Sequence, residues 1–358
     1  MLVAAVGFVV VAASAYAQRA EGAPRRGPAE GRQEKGGPEY VDAHNHLFGR
    51  GRSFGRDVVD FEGAAKEALA LMDELGIRKM YVMPPPFPDD HPQVFDFSDL
   101  TGVIRKHPDR FAFLGGGGTL NPMLMRAVKE GRTSPDMKDR FERQALEILA
   151  QGAIGFGEMA TEHFALGPQH PYESAPSDHP LLLLLADIAA REGVPIDLHM
   201  EAVDKAMSFP EKIRFRQNPG SLEPNIPAFE RLLAHNPKAS IIWAHVGWCH
   251  TGQRTTALCD RLLASHPNLY MSFKISRDSL PELSPLAPGQ GLKTEWRDLI
   301  LKYPDRFIIG TDQFYVSPRL DVQFPQRARG PRALINFLPP DAARQVGVEN
   351  VRRLFGRD

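Results

Sequence analysis

The chain has 358 residues, 42% hydrophobic and 24% charged, which suits one large globular domain or two medium ones. A formal net charge of −1 gives no global field for nucleic acid or an anionic membrane. The two cysteines, Cys249 and Cys259, exclude a cysteine-cluster metal site and read as free buried thiols in preference to a disulfide. Any metal must therefore be held by carboxylates and some of the 12 histidines.

Leu2 to Ala13 is a nearly unbroken apolar run, followed by the small-x-small pattern Ser14-Ala15-Tyr16-Ala17. This predicts a signal peptide over residues 1–17, with cleavage after Ala17 and export to the periplasm or beyond. The run is too short to span a membrane comfortably, so no stable span is expected after processing. No Lys or Arg precedes it, which leaves an uncleaved anchor as the alternative. Residues 18–39 are rich in Gly, Pro and charge and are expected to form a disordered linker.

From residue 40 the chain alternates between short apolar stretches and helical periods. Tyr40–Phe48 reads as a first strand carrying His44 and His46 two residues apart, on one face. Phe61–Leu75 has a helical spacing of apolar residues ended by Gly76. Strands follow at Lys79–Met83, Arg110–Leu114, Ala153–Glu158, Val194–His199, Ala239–His245, Asn268–Phe273 and Phe307–Thr311. Helices are expected between them at Phe97–His107, Asp139–Gln151, Leu181–Glu192, Ile226–His235, Arg254–Ser265 and Thr294–Lys302, with Arg332–Leu338 and Ala342–Phe355 closing the chain. The glycines Gly115 to Gly118 lack a following Gly-Lys-Ser/Thr and read as a tight loop. Eight strands alternating with helices predict an α/β fold, a (β/α)8 TIM barrel over residues 40–358. No Gly-x-Gly-x-x-Gly opens a helix after the first strand, which disfavours a doubly wound nucleotide-binding sheet.

His44, His46, Glu158, His199, His245 and Asp312 all fall where a strand meets its following loop. Singly, each has a bland explanation as a core histidine, a cap or a turn residue. At the ends of barrel strands they would surround one cavity, the arrangement of a metal site.

Val41-Asp42-Ala43-His44-Asn45-His46, Gly157-Glu158-Met159, Asp197-Leu198-His199-Met200, Ala244-His245-Val246-Gly247, Gly310-Thr311-Asp312 and the late segment Gly347 to Phe355 resemble the amidohydrolase superfamily. The similarity is greatest to its amidohydrolase-2 branch and covers residues 40 to 356. The resemblance implies a divalent ion, zinc or manganese, ligated by His44, His46, His199 and Asp312. It implies a second ion or the reacting water and substrate for His245, and a general-base role for Asp312. Many superfamily members carry a carbamylated lysine on the fourth strand, where this chain has Glu158; a glutamate there bridges two ions in related deoxyribonuclease-like members. The expected activity is hydrolysis of an amide, ester, lactone or phosphoester by a metal-activated water. Lys274, Arg277 and His163 or His170 are the candidates to bind substrate and stabilise developing negative charge. Two other readings remain: a non-oxidative decarboxylase or hydratase of an aromatic or small carboxylic acid, and a non-catalytic barrel stabilised by metal. The partner is a small-molecule substrate, and a homo-oligomer stays open.

Overall fold

A computed structural model describes residues 37–356 apart from 89, 92, 93, 169, 278 and 290. The expected signal peptide and most of the expected linker lie outside the described residues. Its last part is anchored, since Arg332 Nη1 donates to the Pro38 carbonyl at 2.8 Å.

Eight parallel strands form the centre: β1 (Tyr40–Phe48), β2 (Ile77–Val82), β3 (Phe111–Phe113 and Gly115–Gly116), β4 (Phe156–His163), β5 (Ile196–Met200), β6 (Ile241–Val246), β7 (Leu269–Phe273) and β8 (Phe307–Ile309 and Gln313–Val316). The two split strands close the ring. Leu114 N donates to Val82 O, while Gly115 N donates to Gly155 O, so β3 joins β2 on one side and β4 on the other. Gly310 N donates to Phe273 O and Asp312 N to His44 O, so β8 joins β7 and β1. The result is a (β/α)8 barrel.

The glycine run is part of the barrel wall and not a free loop. A Cβ on Gly115 would meet Ile148 at 2.6 Å and one on Gly117 would meet the Pro84 carbonyl at 2.4 Å, so only glycine fits. The barrel is filled by Val41, Ala43, Tyr81, Met83, Leu114, Ile154, Ile242 and Ile308, and plugged from below by Val351, Leu354 and Phe355.

The crossover helices start and stop on local signals. Asp60 accepts from Gly63 N to begin α1 (Phe61–Leu75), and Gly76 ends it at φ 68°. The next helices are α2 (Phe97–Lys106), α3 (Leu120–Glu130) and α4 (Pro135–Ala150), the last opened by Ser134 accepting from Met137 N ahead of Pro135. Helix α3 has no counterpart among the predicted elements. The others are α5 (Pro180–Glu192), α6 (Ile226–His235), α7 (Thr256–Ser265), α8 (Thr294–Lys302) and α9 (Arg329–Phe337). Ala342–Phe355 is not one regular helix, because a π-turn at Gln345–Glu349 separates Pro340–Arg344 from Asn350–Phe355. The stretch after β1 holds a hairpin, Arg50–Ser53 with Arg56–Val59. Among the described residues no helix is long and apolar enough to cross a membrane. Both cysteines are buried and free.

Candidate metal centre

Three strands lose their regular pairing where they deliver ligands. The β1/β2 register shifts between Asp42 and Asn45, β4/β5 between Phe156 and Met159, and β6/β7 between Trp243 and Val246. Such irregularities break the strict in–out alternation and re-aim side chains. In β1 the shift lets Val41 and Ala43 fill the barrel below while His44 and His46 face its mouth. Glu158 lies inside β4, which runs on to His163, and is not a strand tip. Asp312 sits at φ 52° in the break between the two halves of β8, and His245 at φ 68° near the end of β6.

All six predicted ligands meet around Glu158. One carboxylate oxygen, Oε2, lies 3.5 Å from His44 Nε2 and 3.4 Å from His46 Nε2. The other, Oε1, lies 2.9 Å from His199 Nδ1 and 3.1 Å from His245 Nε2. Asp312 Oδ1 is 3.1 Å from His46 Nε2 and 3.9 Å from His44 Nε2. Every one of these side chains is buried. His46 Nδ1 sits 2.9 Å from the Met83 carbonyl and donates to it, which leaves an Nε2 lone pair aimed at two carboxylate oxygens. His44 Nε2 is buried without a hydrogen-bond partner.

Lone pairs converging in this way demand a positive charge between them. Burial works against a charged His44, but Asp197 and Glu158 outweigh it and hold its pKa well above the usual value. Burial would likewise raise Glu158, yet the charge on His44 and the hydrogen bonds from His199 and His245 hold its carboxyl well below the carboxylate range. A divalent cation meets the same demand, and the His/carboxylate set fits zinc or manganese. The pocket above the ligands opens to solvent and leaves about 20 Å³ of free space between its side chains in this structure.

The cavity is lined by Pro85, His163, His170, Trp248, Lys274, Phe314 and Arg327 beside the ligands. Lys274 Nζ lies 2.6 Å from Asp312 Oδ2 and sits 3.3 Å above the Trp248 ring. Arg327 Nη1 donates to the same Oδ2 at 2.8 Å and to the Asp312 carbonyl at 2.8 Å. Burial opposes ionisation of Asp312, but Lys274 and Arg327 hold its carboxyl well below the usual range. Burial, then His199, pushes His163 down to about 3.

Arg277 is a correction: it is exposed and does not line the cavity. Arg327 takes the place expected of it. Nothing in the Pro325-Gln326-Arg327 stretch marks this arginine in advance. Asp197 was also missed; its Oδ1 lies 3.0 Å from His44 Nδ1. A signal existed, since Asp197 and His199 are two apart on one strand and share a face. Trp243 belongs to the core, where its indole donates to Met200 O against Phe229, whereas Trp248 lines the cavity.

The amidohydrolase family model matches residues 41–357. No curated protein matches the chain in sequence. Among solved structures, a protein of Agrobacterium tumefaciens in its apo form aligns at TM-score 0.50 and 16% identity, over 90% of this chain and 98% of that one. A probable 2-pyrone-4,6-dicarboxylic acid hydrolase from Acinetobacter baumannii with citric acid bound aligns at TM-score 0.51 and 12% identity, over 89% and 100%. A 2,6-dihydroxybenzoate decarboxylase complexed with 2,6-dihydroxybenzoate aligns at TM-score 0.48 and 16% identity, over 89% and 99%. At such identities the likeness of the first two speaks to the fold alone, and the family match carries the assignment. With that match running from the first barrel strand to the closing helix, the chain belongs to the amidohydrolase family and is an enzyme of the metal-dependent, hydrolase-like kind.

Proposed function

We propose that the chain is an exported hydrolase that uses one or two divalent ions to cleave an amide, ester, lactone or phosphoester bond. One observation carries this reading: each oxygen of Glu158 faces its own pair of imidazoles, His44 with His46 and His199 with His245. His44, His46 and Asp312 would hold one ion and His199 and His245 a second, with Glu158 within reach of both sets. The apolar run before residue 14 and the small-x-small pattern after it support export.

When bound, a divalent ion lowers the pKa of a water to roughly 7 and polarises the scissile carbonyl or phosphoryl oxygen. The chain's own residues do the rest. Asp312 takes the proton of the attacking water at Oδ1, since Lys274 and Arg327 occupy Oδ2 and fix the carboxylate's direction. His245 hydrogen-bonds the water or the substrate. Lys274 and His163 face developing negative charge, and Trp248 and Phe314 keep bulk water out.

A second reading, a non-oxidative decarboxylase or hydratase of an aromatic or small carboxylic acid, is favoured by the neighbouring cations Lys274 and Arg327 between the aromatic walls Trp248 and Phe314. That arrangement suits a carboxylate on a flat ring. The test is elemental analysis of the purified protein, then the metal-loaded enzyme against a panel of esters, lactones, amides, phosphoesters and aromatic acids, with carbon dioxide release measured in parallel. The expected result is roughly one to two zinc- or manganese-type ions per chain and turnover that a chelator abolishes. A metal-free protein whose turnover survives chelation rejects the metal reading. Carbon dioxide release without hydrolysis moves the function to the second reading.

A further inference from the structure

Just past Glu158, β4 extends into the loops and pairs in antiparallel fashion with Glu173–Ser174, which sets Glu173 directly opposite His163. Both residues are buried. His163 Nδ1 and Glu173 Oε2 lie 3.7 Å apart, and neither atom has a hydrogen-bond partner. Two buried polar atoms left facing each other are costly unless they act as a pair.

The other carboxyl oxygen is already committed. Asn121 Nδ2 donates to Glu173 Oε1 at 2.7 Å and to the Phe87 carbonyl at 3.1 Å. Asn121 Oδ1 accepts from Ala160 N at 3.0 Å, which fixes which way its amide points. Oε1 is therefore an acceptor, and a proton on this carboxyl belongs on Oε2, facing the imidazole. Among the described residues no Lys or Arg pairs with Glu173, so its charged form would be a buried anion without a cation. Burial pushes its carboxyl up to about 8. The His163 ring lines the cavity and stands 4.5 Å from the His199 ring.

We propose that Glu173, clamped by Asn121, is a positioning residue that donates to His163 Nδ1 and so holds His163 in the tautomer whose Nε2–H is free to donate to a substrate oxygen. The inference rests on the reading of the cavity as the active site and names one way that site recognises its substrate. The site would then favour substrates with an acceptor oxygen beside the scissile bond, such as a carbonyl, a phosphoryl or a carboxylate, over those offering a donor there.

The test is nitrogen-15 NMR of the zinc-loaded protein with labelled histidine, the His163 signals being assigned by their loss in His163→Gln. The wild type is expected to show Nε2 protonated and Nδ1 as acceptor. Glu173→Gln, whose amide still offers a donor, is expected to keep that tautomer. Glu173→Met, of similar length but with no donor, is expected to give a mixture. In turnover assays Glu173→Met is expected to lose at least about tenfold in kcat with a smaller change in KM, and Glu173→Gln to recover most of it. A wild-type His163 protonated at Nδ1, or a tautomer indifferent to Glu173→Met, overturns the proposal. The wild-type spectrum decides this even if Glu173→Met fails to fold. Absence of turnover on every substrate would count against the functional reading, while the tautomer still judges the pairing.

Discussion

Asp312 sits where the ligand cluster meets the cations of the cavity wall. It faces two histidines with one oxygen and two cations with the other. Asp312→Asn keeps the size and the Oδ2-side geometry but removes the base and a charge. We expect kcat to fall by about 10² to 10⁴ with the circular dichroism spectrum unchanged. A variant with near-normal turnover would take Asp312 out of the proton-accepting role. The side chains that gather here were legible for a simple reason: His44, His46, His199, His245 and Asp312 each follow a β-branched or apolar run, and such runs end at the barrel mouth. Arg327 and Glu173 were not legible. They enter from loops and from a two-residue strand, and only the folded chain brings them alongside Asp312 and His163.

At the scale of the element, most strands and helices were visible in the pattern of apolar residues, and the misses have physical causes. Helix α3 follows four glycines and contains Pro122, so its short apolar face, Leu120, Leu124 and Ala127, was masked by breaker residues. Strand β4 was cut short because Thr161, Glu162 and His163 look like loop; they are buried by the strand Glu173–Ser174 pairing beside them. The start of α2 yields a prediction. Asp96 precedes the helix, its N–H donates to Asp99 Oδ2, and its own Oδ1 is buried without a partner. Burial, helped by Asp99, raises its pKa from 3.8 to about 6. The folded chain thus holds this proton more tightly than the unfolded chain. The group favours folding at low pH, and that contribution is lost as pH rises through about 6. Asp96→Asn keeps an acceptor and removes the penalty, so it should stabilise the protein by about 1–3 kcal/mol at neutral pH and by little near pH 4. Thermal melts across that range check it; an equal effect at both ends would refute the assignment.

For the molecule as a whole, the barrel needs both of its ends. The upper end is polar and carries the ligands; the lower end is sealed by the C-terminal helix, where Phe355 packs its ring 4.8 Å from that of Tyr81. Phe355→Ala should cost about 3–5 kcal/mol in denaturant unfolding. It should leave the metal content intact, because the plug touches no ligand. A loss of bound metal in the folded variant would show that the two ends are coupled. The overall architecture was readable because alternating elements leave few topologies. How the ring closes was not, since β3 and β8 each break and resume, and a break looks like a terminus in sequence.

Among the described residues, three other than glycine adopt a left-handed backbone: Phe54, exposed on the hairpin, and the two site residues His245 and Asp312. Such conformations typically cost about 1 kcal/mol or more for a residue with a side chain. Random drift toward glycine at positions 245 and 312 would relax the chain locally and delete a ligand each time. Lineages that no longer need turnover should therefore shed these two positions early, and a relative with glycine at both would be expected to be a sturdier but chemically silent barrel.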